Sequence, residues 1–158
     1  MAVLATDLKF FLSTVNYGGA ITATQATGGN VFDAFTGSET SAGTTVYACV
    51  YAKNGSAQTA FATKVYVNSE TAFGTVNATI ALGNAAVSAT ETATADETTA
   101  PVPALTFVEA TGEANGLLIG DLTAGQYKAV WIKLVVPAAT TANNNYTIEL
   151  GFYADTGV

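Results

Sequence analysis

The stretch Y-K-A-V-W-I-K-L-V-V, residues 127–136, constrains the fold more than any other. Its alternation has the period of a β-strand, in which successive side chains point to opposite faces. Lys128, Val130, Ile132, Leu134 and Val136 fall on one side, and Tyr127, Ala129, Trp131, Lys133 and Val135 on the other. A sheet with one face in water would carry plain polar residues on its outer side. Here both sides are suited to burial, and the second holds the chain's single Trp. The question the strand sets is what its second face lies against.

The same period recurs along the chain. Strands are expected at 7–13, 45–54, 62–68, 74–83, 127–136 and 146–154, with a weaker candidate at 104–109. Residues 45–54 and 62–68 read as hairpin partners across N-G-S-A-Q. Helix signals are poor, because the Ala-rich parts are broken by Thr and Gly; at most a helical turn is expected around Asn30 to Phe35. Turn dipeptides are frequent. With 158 residues, this pattern predicts one all-β domain, an antiparallel β-sandwich of jelly-roll or immunoglobulin-like type with little or no helix. The segment 1–12 reads as an arm onto a neighbour or an edge strand, with Phe10 and Phe11 as its contact residues. The segment 87–103, rich in Thr and Ala, reads as an exposed loop. It holds Glu91, Asp96 and Glu97, but their spacing fits no calcium-loop pattern.

Composition narrows the chemistry. Apolar residues make up 49% of the chain, but 30 are Ala, so the core depends on a few large side chains. Twelve acidic residues face five Lys and no Arg or His, for a net charge of -7. Nucleic-acid binding draws its affinity from cations that neutralise phosphates, so it is not expected. Without His, the common general base and metal ligand is missing. One Cys builds neither a thiolate metal site nor an internal disulfide, and Cys49, inside an apolar strand, reads as a small buried hydrophobe. Glu109 and Glu113 flank a turn, and nothing sets a carboxylate pair at a defined separation. N-A-T at 77 and N-Y-T at 145 match the glycosylation acceptor, which a chain with 26 Thr produces by chance. No catalytic constellation, cofactor site or metal site is found. The N-terminus lacks the basic leading region of a signal peptide, and no apolar run reaches spanning length, so neither a cleaved leader nor a membrane partner is expected.

One internal echo stands out. Residues 47–53, Y-A-C-V-Y-A-K, and 127–133, Y-K-A-V-W-I-K, share the pattern Tyr-x-small-Val-aromatic-x-Lys. The faces so formed carry Tyr47, Tyr51 and Lys53 on one strand and Tyr127, Trp131 and Lys133 on the other. Such a face meets either a partner protein, where aromatics concentrate in binding hot spots, or the other sheet or a covering loop of the same domain. Two strands at similar depth in one sheet would also account for the echo without a true repeat.

Longer stretches resemble a known family. D-L-K-F-F-L-S followed by G-G-A-I-T, then N-V-F-D-A-F-T-G-S-E-T-S-A-G-T-T-V-Y-A-C-V-Y-A-K-N, then I-G-D-L-T-A-G-Q-Y-K-A-V-W-I-K, resemble a group of virion structural proteins of tailed bacteriophages. The likeness runs over most of the chain, in the same order, through motifs that carry no chemistry. It implies a non-enzymatic capsid decoration or cement protein on the outer shell. Its partners would be the major capsid protein and its own copies, as a trimer. Related chains often carry a basic residue after the Tyr of the middle strand and after the W-I-K stretch. Here Ala48 and Leu134 stand there, so any grip those cations provide must come from elsewhere. A tail, fibre or collar component is the alternative within virions, and a carbohydrate-binding or adhesin sandwich the alternative outside them.

Overall fold

The computed structural model describes residues 3–27, 29–33, 35–71, 77–140 and 147–155. Among these residues, eight strands form two sheets: β1 (Leu8–Ser13), β2 (Ile21–Gln25), β3 (Thr44–Asn54), β4 (Ala60–Glu70), β5 (Asn77–Leu82), β6 (Leu117–Leu122), β7 (Tyr127–Val136) and β8 (Ile148–Asp155). The larger sheet has the order β2-β1-β3-β7-β5 and the smaller β6-β4-β8, and every strand pair is antiparallel. The chain is an all-β sandwich. The inward faces meet in a core of Val50, Ala52, Val130, Ile132 and Ile80 from the larger sheet and Val65, Val67, Leu117, Leu150 and Phe152 from the smaller. Burying each of the larger of these side chains stabilises the fold by about 1.5–3 kcal/mol.

β3 and β7 are the two longest strands of the larger sheet and lie side by side in its interior. The hairpin expected between 45–54 and 62–68 does not form. β3 pairs with β1 and β7, whereas β4 pairs with β6 and β8 in the other sheet. The N-G-S-A-Q stretch is a turn, but one that carries the chain between sheets. Buried Asn54 builds this corner. Its amide donates to the carbonyls of Gln58 and Leu122, both at 2.8 Å, and its oxygen accepts from the backbone N–H and hydroxyl of Ser56 at 3.0 and 2.8 Å. An Asn with every hydrogen-bonding group satisfied holds a buried corner that a two-residue hairpin turn could not make.

Other expectations are corrected as well. The N-terminal segment is neither arm nor edge: β1 is paired on both sides, and Val3 packs with Ala60, Ala154 and Leu8. β2 and β6 were not expected. Their sequences, I-T-A-T-Q and L-L-I-G-D-L, lack a clean large-to-polar alternation. Residues 104–109 form no strand, and Val108 makes only an isolated bridge to Ile80 on the open side of β5. Of the strand expected at 74–83, residues 74–76 lie outside the described residues, as does Tyr146 at the start of the last. No helical turn forms at residues 30–33. A helix, α1, spans Gly37–Ala42 instead. It starts there because Thr36 and Glu39 form a reciprocal capping box: the Glu39 N–H donates to Thr36 Oγ1 at 3.3 Å, and the Thr36 N–H to the Glu39 carboxylate at 2.7 Å. These bonds to Thr36 hold the Glu39 carboxyl below its ordinary range.

Candidate functional site

The outer face of the β3–β7 pair explains the echo. The register sets Cys49 opposite Trp131, Tyr51 opposite Ala129, Lys53 opposite Tyr127 and Tyr47 opposite Lys133, around Val50 opposite Val130. Because the strands run antiparallel, the same motif read in both directions gives a local two-fold arrangement. Trp131 and Tyr51 each sit across from a small residue, Cys49 and Ala129, which leaves room for the ring, and Tyr47 and Tyr127 each sit across from a Lys. The recurrence follows from side-chain volume at paired positions.

This face is covered from within the chain. The 84–107 segment crosses it, with Leu105 and Phe107 packing on Cys49, Tyr51, Ala129 and Trp131 alongside Tyr17 and Ile21. Trp131 and Tyr51 are fully buried, so neither presents a contact surface to a partner. The segment expected as an exposed loop is a strap in which Glu91 and Pro101 are buried, although many of its other residues face water. Glu91, only 3% exposed, is its hub. The Glu91 carboxylate accepts from the backbone N–H groups of Asn84 at 3.3 Å and Ala85 at 3.0 Å. Its own N–H donates to the Tyr51 hydroxyl at 2.8 Å, and its carbonyl accepts from Gly19 at 3.0 Å. The Tyr51 hydroxyl in turn donates to the Gly19 carbonyl. Burial pushes the Tyr51 phenol up to about 12, so it stays a donor across the physiological range. A Cβ on Gly83 would lie 2.2 Å from a Glu91 carboxylate oxygen and 2.8 Å from Ala129 Cβ, so only Gly lets the carboxylate approach. Further ties come from Tyr47 N–H to the Glu97 carbonyl at 2.7 Å, Ser88 N–H to the Tyr127 carbonyl at 2.8 Å, and Lys128 Nζ to the Ala85 carbonyl.

The remaining expected contact residues are half-buried, all but Phe10 at the margins of this face, and their side chains are engaged internally. Tyr47 packs on Phe107 with ring centroids 5.7 Å apart, and Lys133 Nζ lies 5.8 Å from the same ring. Tyr127 meets Tyr51 edge-on at 5.3 Å, and its hydroxyl donates to the Ser88 carbonyl at 3.0 Å. Lys53 lies over Phe11 at 5.4 Å, and Phe10 turns inward onto Phe152 at 5.7 Å. The structure thus brings seven of the eight together on one face, Phe11 joining it by pairing opposite Tyr51. It separates only Phe10 from them.

Cys49 lies in the same cluster. Burial and the neighbouring Glu91 carboxylate push its thiol well above the ordinary range. The thiolate is the reactive form, so native protein is expected to resist alkylation, with labelling measured by mass spectrometry appearing only as the fold opens in denaturant. Fast labelling of the folded chain would contradict the covered face.

The opposite side of the molecule differs. On the outer face of the smaller sheet, Lys64 lies directly between Leu118 on β6 and Tyr153 on β8. Leu118 is 60% exposed. Along β4 the register slips between Phe61 and Lys64, where Ala62 adopts a positive φ of 44°, and its N–H donates to Asp121 Oδ1 at 2.9 Å. The extra residue keeps Ala60 and Thr63 buried while Phe61, 44% exposed, stays on the outer side. Two residues beyond Lys64, the Tyr66 ring lies over Gly151, where a Cβ would stand 2.3 Å from the ring. Exposed carboxylates of Glu113, Asp121, Glu149 and Asp155 belong to these strands and the turn before β6. Tyr153 donates to Asp155 Oδ1 at 2.6 Å, and that bond, with the charges of Asp155 and Glu113, pushes its phenol up. The motif-based reading missed this face because its residues share no pattern. The available signal was L-L in β6, where an inward Leu117 forces Leu118 outward.

Among the described residues, no three His, Cys, Asp or Glu side chains gather as metal ligands, and no helix is long and apolar enough to cross a membrane. In the strap, Asp96 Oδ1 accepts from the Thr98 N–H and from the hydroxyls of Thr98 and Thr99 at 2.8–2.9 Å, an arrangement that holds a turn. No family model, curated protein or solved structure matches the chain.

Proposed function

We propose that this chain is a non-enzymatic structural protein of a tailed-phage virion. In this reading it is a decoration protein that binds the outer surface of the major capsid shell as a trimer and stabilises it. The observation that carries the reading is the outer face of β6-β4-β8, where Phe61 and Leu118 project from paired strands. A rigid sheet presenting large apolar side chains is a surface prepared for apposition to other protein. On a shell, one modest contact is repeated by symmetry, and self-association adds avidity. A net charge of -7 without Arg keeps such a protein off packaged DNA and suits the outer side. The sequence resemblance to phage virion proteins supports the same reading.

The test is stoichiometry in purified particles. Quantitative mass spectrometry is expected to give this chain at a copy number comparable to the major capsid protein. A few copies per particle would instead indicate a tail, fibre or collar component, and none at all would reject the virion reading.

A further inference from the structure

We propose that the outer face of β6-β4-β8 is the docking face, and that the surface it fits is a protein surface with an apolar centre and a rim of Lys and Arg. This rests on the reading that the chain attaches to a protein shell, and it names the chemistry of the surface that receives it. The centre is apolar: Leu118, the stem of Lys64 and Tyr153 form a row across the three strands, extended along β4 by Phe61 and by Tyr66 lying over Gly151. The surround is acidic, with four exposed carboxylates, Glu113, Asp121, Glu149 and Asp155, against the single ammonium of Lys64. An apolar centre inside a charged rim is the arrangement of a specific interface, and complementary charge on the partner sets orientation and association rate.

Charge also decides between occupants. A second copy docking by the same face would set these carboxylates against their own kind, since a two-fold contact is self-complementary. A basic-rimmed partner gains where a second copy loses. Two of the carboxylates make bonds that neutral isosteres keep, Glu149 accepting from Ser69 Oγ at 3.0 Å and Asp155 from the Tyr153 hydroxyl, and Glu113 is exposed in the turn before β6. Their charge can therefore be removed without dismantling the sheet.

The experiment measures co-sedimentation of the full chain with capsids of the cognate virus lacking it, at low and high salt. Thermal melting of each variant checks the fold. Leu118→Asp and Phe61→Asp are each expected to weaken attachment on the order of thirtyfold or more, as for residues at the centre of an interface. The triple variant Glu113→Gln, Glu149→Gln, Asp155→Asn is expected to weaken it about tenfold at low salt and to flatten its salt dependence, because rim charges act over a screening length of about 8 Å at physiological ionic strength. Val102→Asp, on the exposed strap and 75% exposed, serves as the control and is expected to bind as wild type.

Wild-type attachment that persists in Leu118→Asp and Phe61→Asp, or is lost in Val102→Asp, overturns the docking face and leaves the decoration reading standing. Salt dependence unchanged in the triple variant overturns the basic rim. If Leu118→Asp dissociates an oligomer while attachment is kept, the face belongs to a second copy and the proposal fails. If the isolated chain binds a glycan array through Tyr66, the occupant is a carbohydrate and the proposal fails. No attachment by the wild type rejects this inference and the decoration reading together.

Discussion

Trp131→Ala is expected to lower the unfolding free energy by about 3–5 kcal/mol, read as a shift in the urea midpoint at an unchanged slope. Trp131 is the largest fully buried side chain, and it is packed with Cys49, Tyr51, Ala129, Leu105 and Phe107 beneath the strap. Truncation removes the ring from between two layers that backbone hydrogen bonds fix in place, so the cavity cannot close fully. Trp131→Phe separates packing from polarity. The indole N–H is buried without an acceptor among the described residues, a cost of about 1–3 kcal/mol that Phe does not carry. Trp131→Phe is therefore expected to lose well under half of what Trp131→Ala loses. Equal losses would mean that ring volume is not what holds the two layers together. An unchanged midpoint in Trp131→Ala would mean that the strap does not cover this face in solution.

Glu91→Ala is the second large effect, expected at about 2–3 kcal/mol. Its side chain closes the strap on itself through the N–H groups of Asn84 and Ala85, both partly buried. Removing the carboxylate leaves those donors without their acceptor and opens space beside Gly83, which approaches the carboxylate too closely to tolerate a side chain. Glu91→Gln keeps the shape and one acceptor oxygen, so a smaller loss is expected. The two variants also differ from Trp131→Ala in where they act. The strap is tied to the sheet through the backbone of Glu91 and the Tyr51 hydroxyl. Loosening its hub should raise the Cys49 alkylation rate under native conditions, through a local opening, by more than the drop in global stability accounts for. A labelling rate that follows global stability alone would show the strap to be inseparable from the sandwich.

The central strands were legible because their alternation is strong. Every residue of 127–136 lies on the face assigned to it from the sequence, since a one-residue slip would have exchanged both apolar sets. Legibility stopped where pairing depends on non-local packing. Residues 45–54 and 62–68 are neighbours in sequence with a turn between them. That turn's destination is set by Asn54 reaching Leu122, 68 positions away. Residues 87–103 were legible as a largely exposed loop, but their anchoring as a strap was not. Its Thr- and Ala-rich sequence has the composition of a solvated loop, and nothing local shows that Glu91 finds two backbone donors six and seven residues earlier. The candidate site illustrates the same limit. A Tyr, Trp and Lys motif marked a face that needs covering, and whether a partner or the chain itself covers it is decided by a segment without a motif. Phe61 and Leu118 surface through a β-bulge at Ala62 and a doubled Leu, local irregularities that periodicity treats as noise.

The most direct measurement is the imaging of intact particles at a resolution that distinguishes strands. The account predicts sandwich-shaped density on the outer shell at positions repeated by its symmetry, with β6-β4-β8 turned toward the capsid protein and the strap turned away. Particles whose shells carry no such density, or which bear the chain bound through its strap, would contradict it.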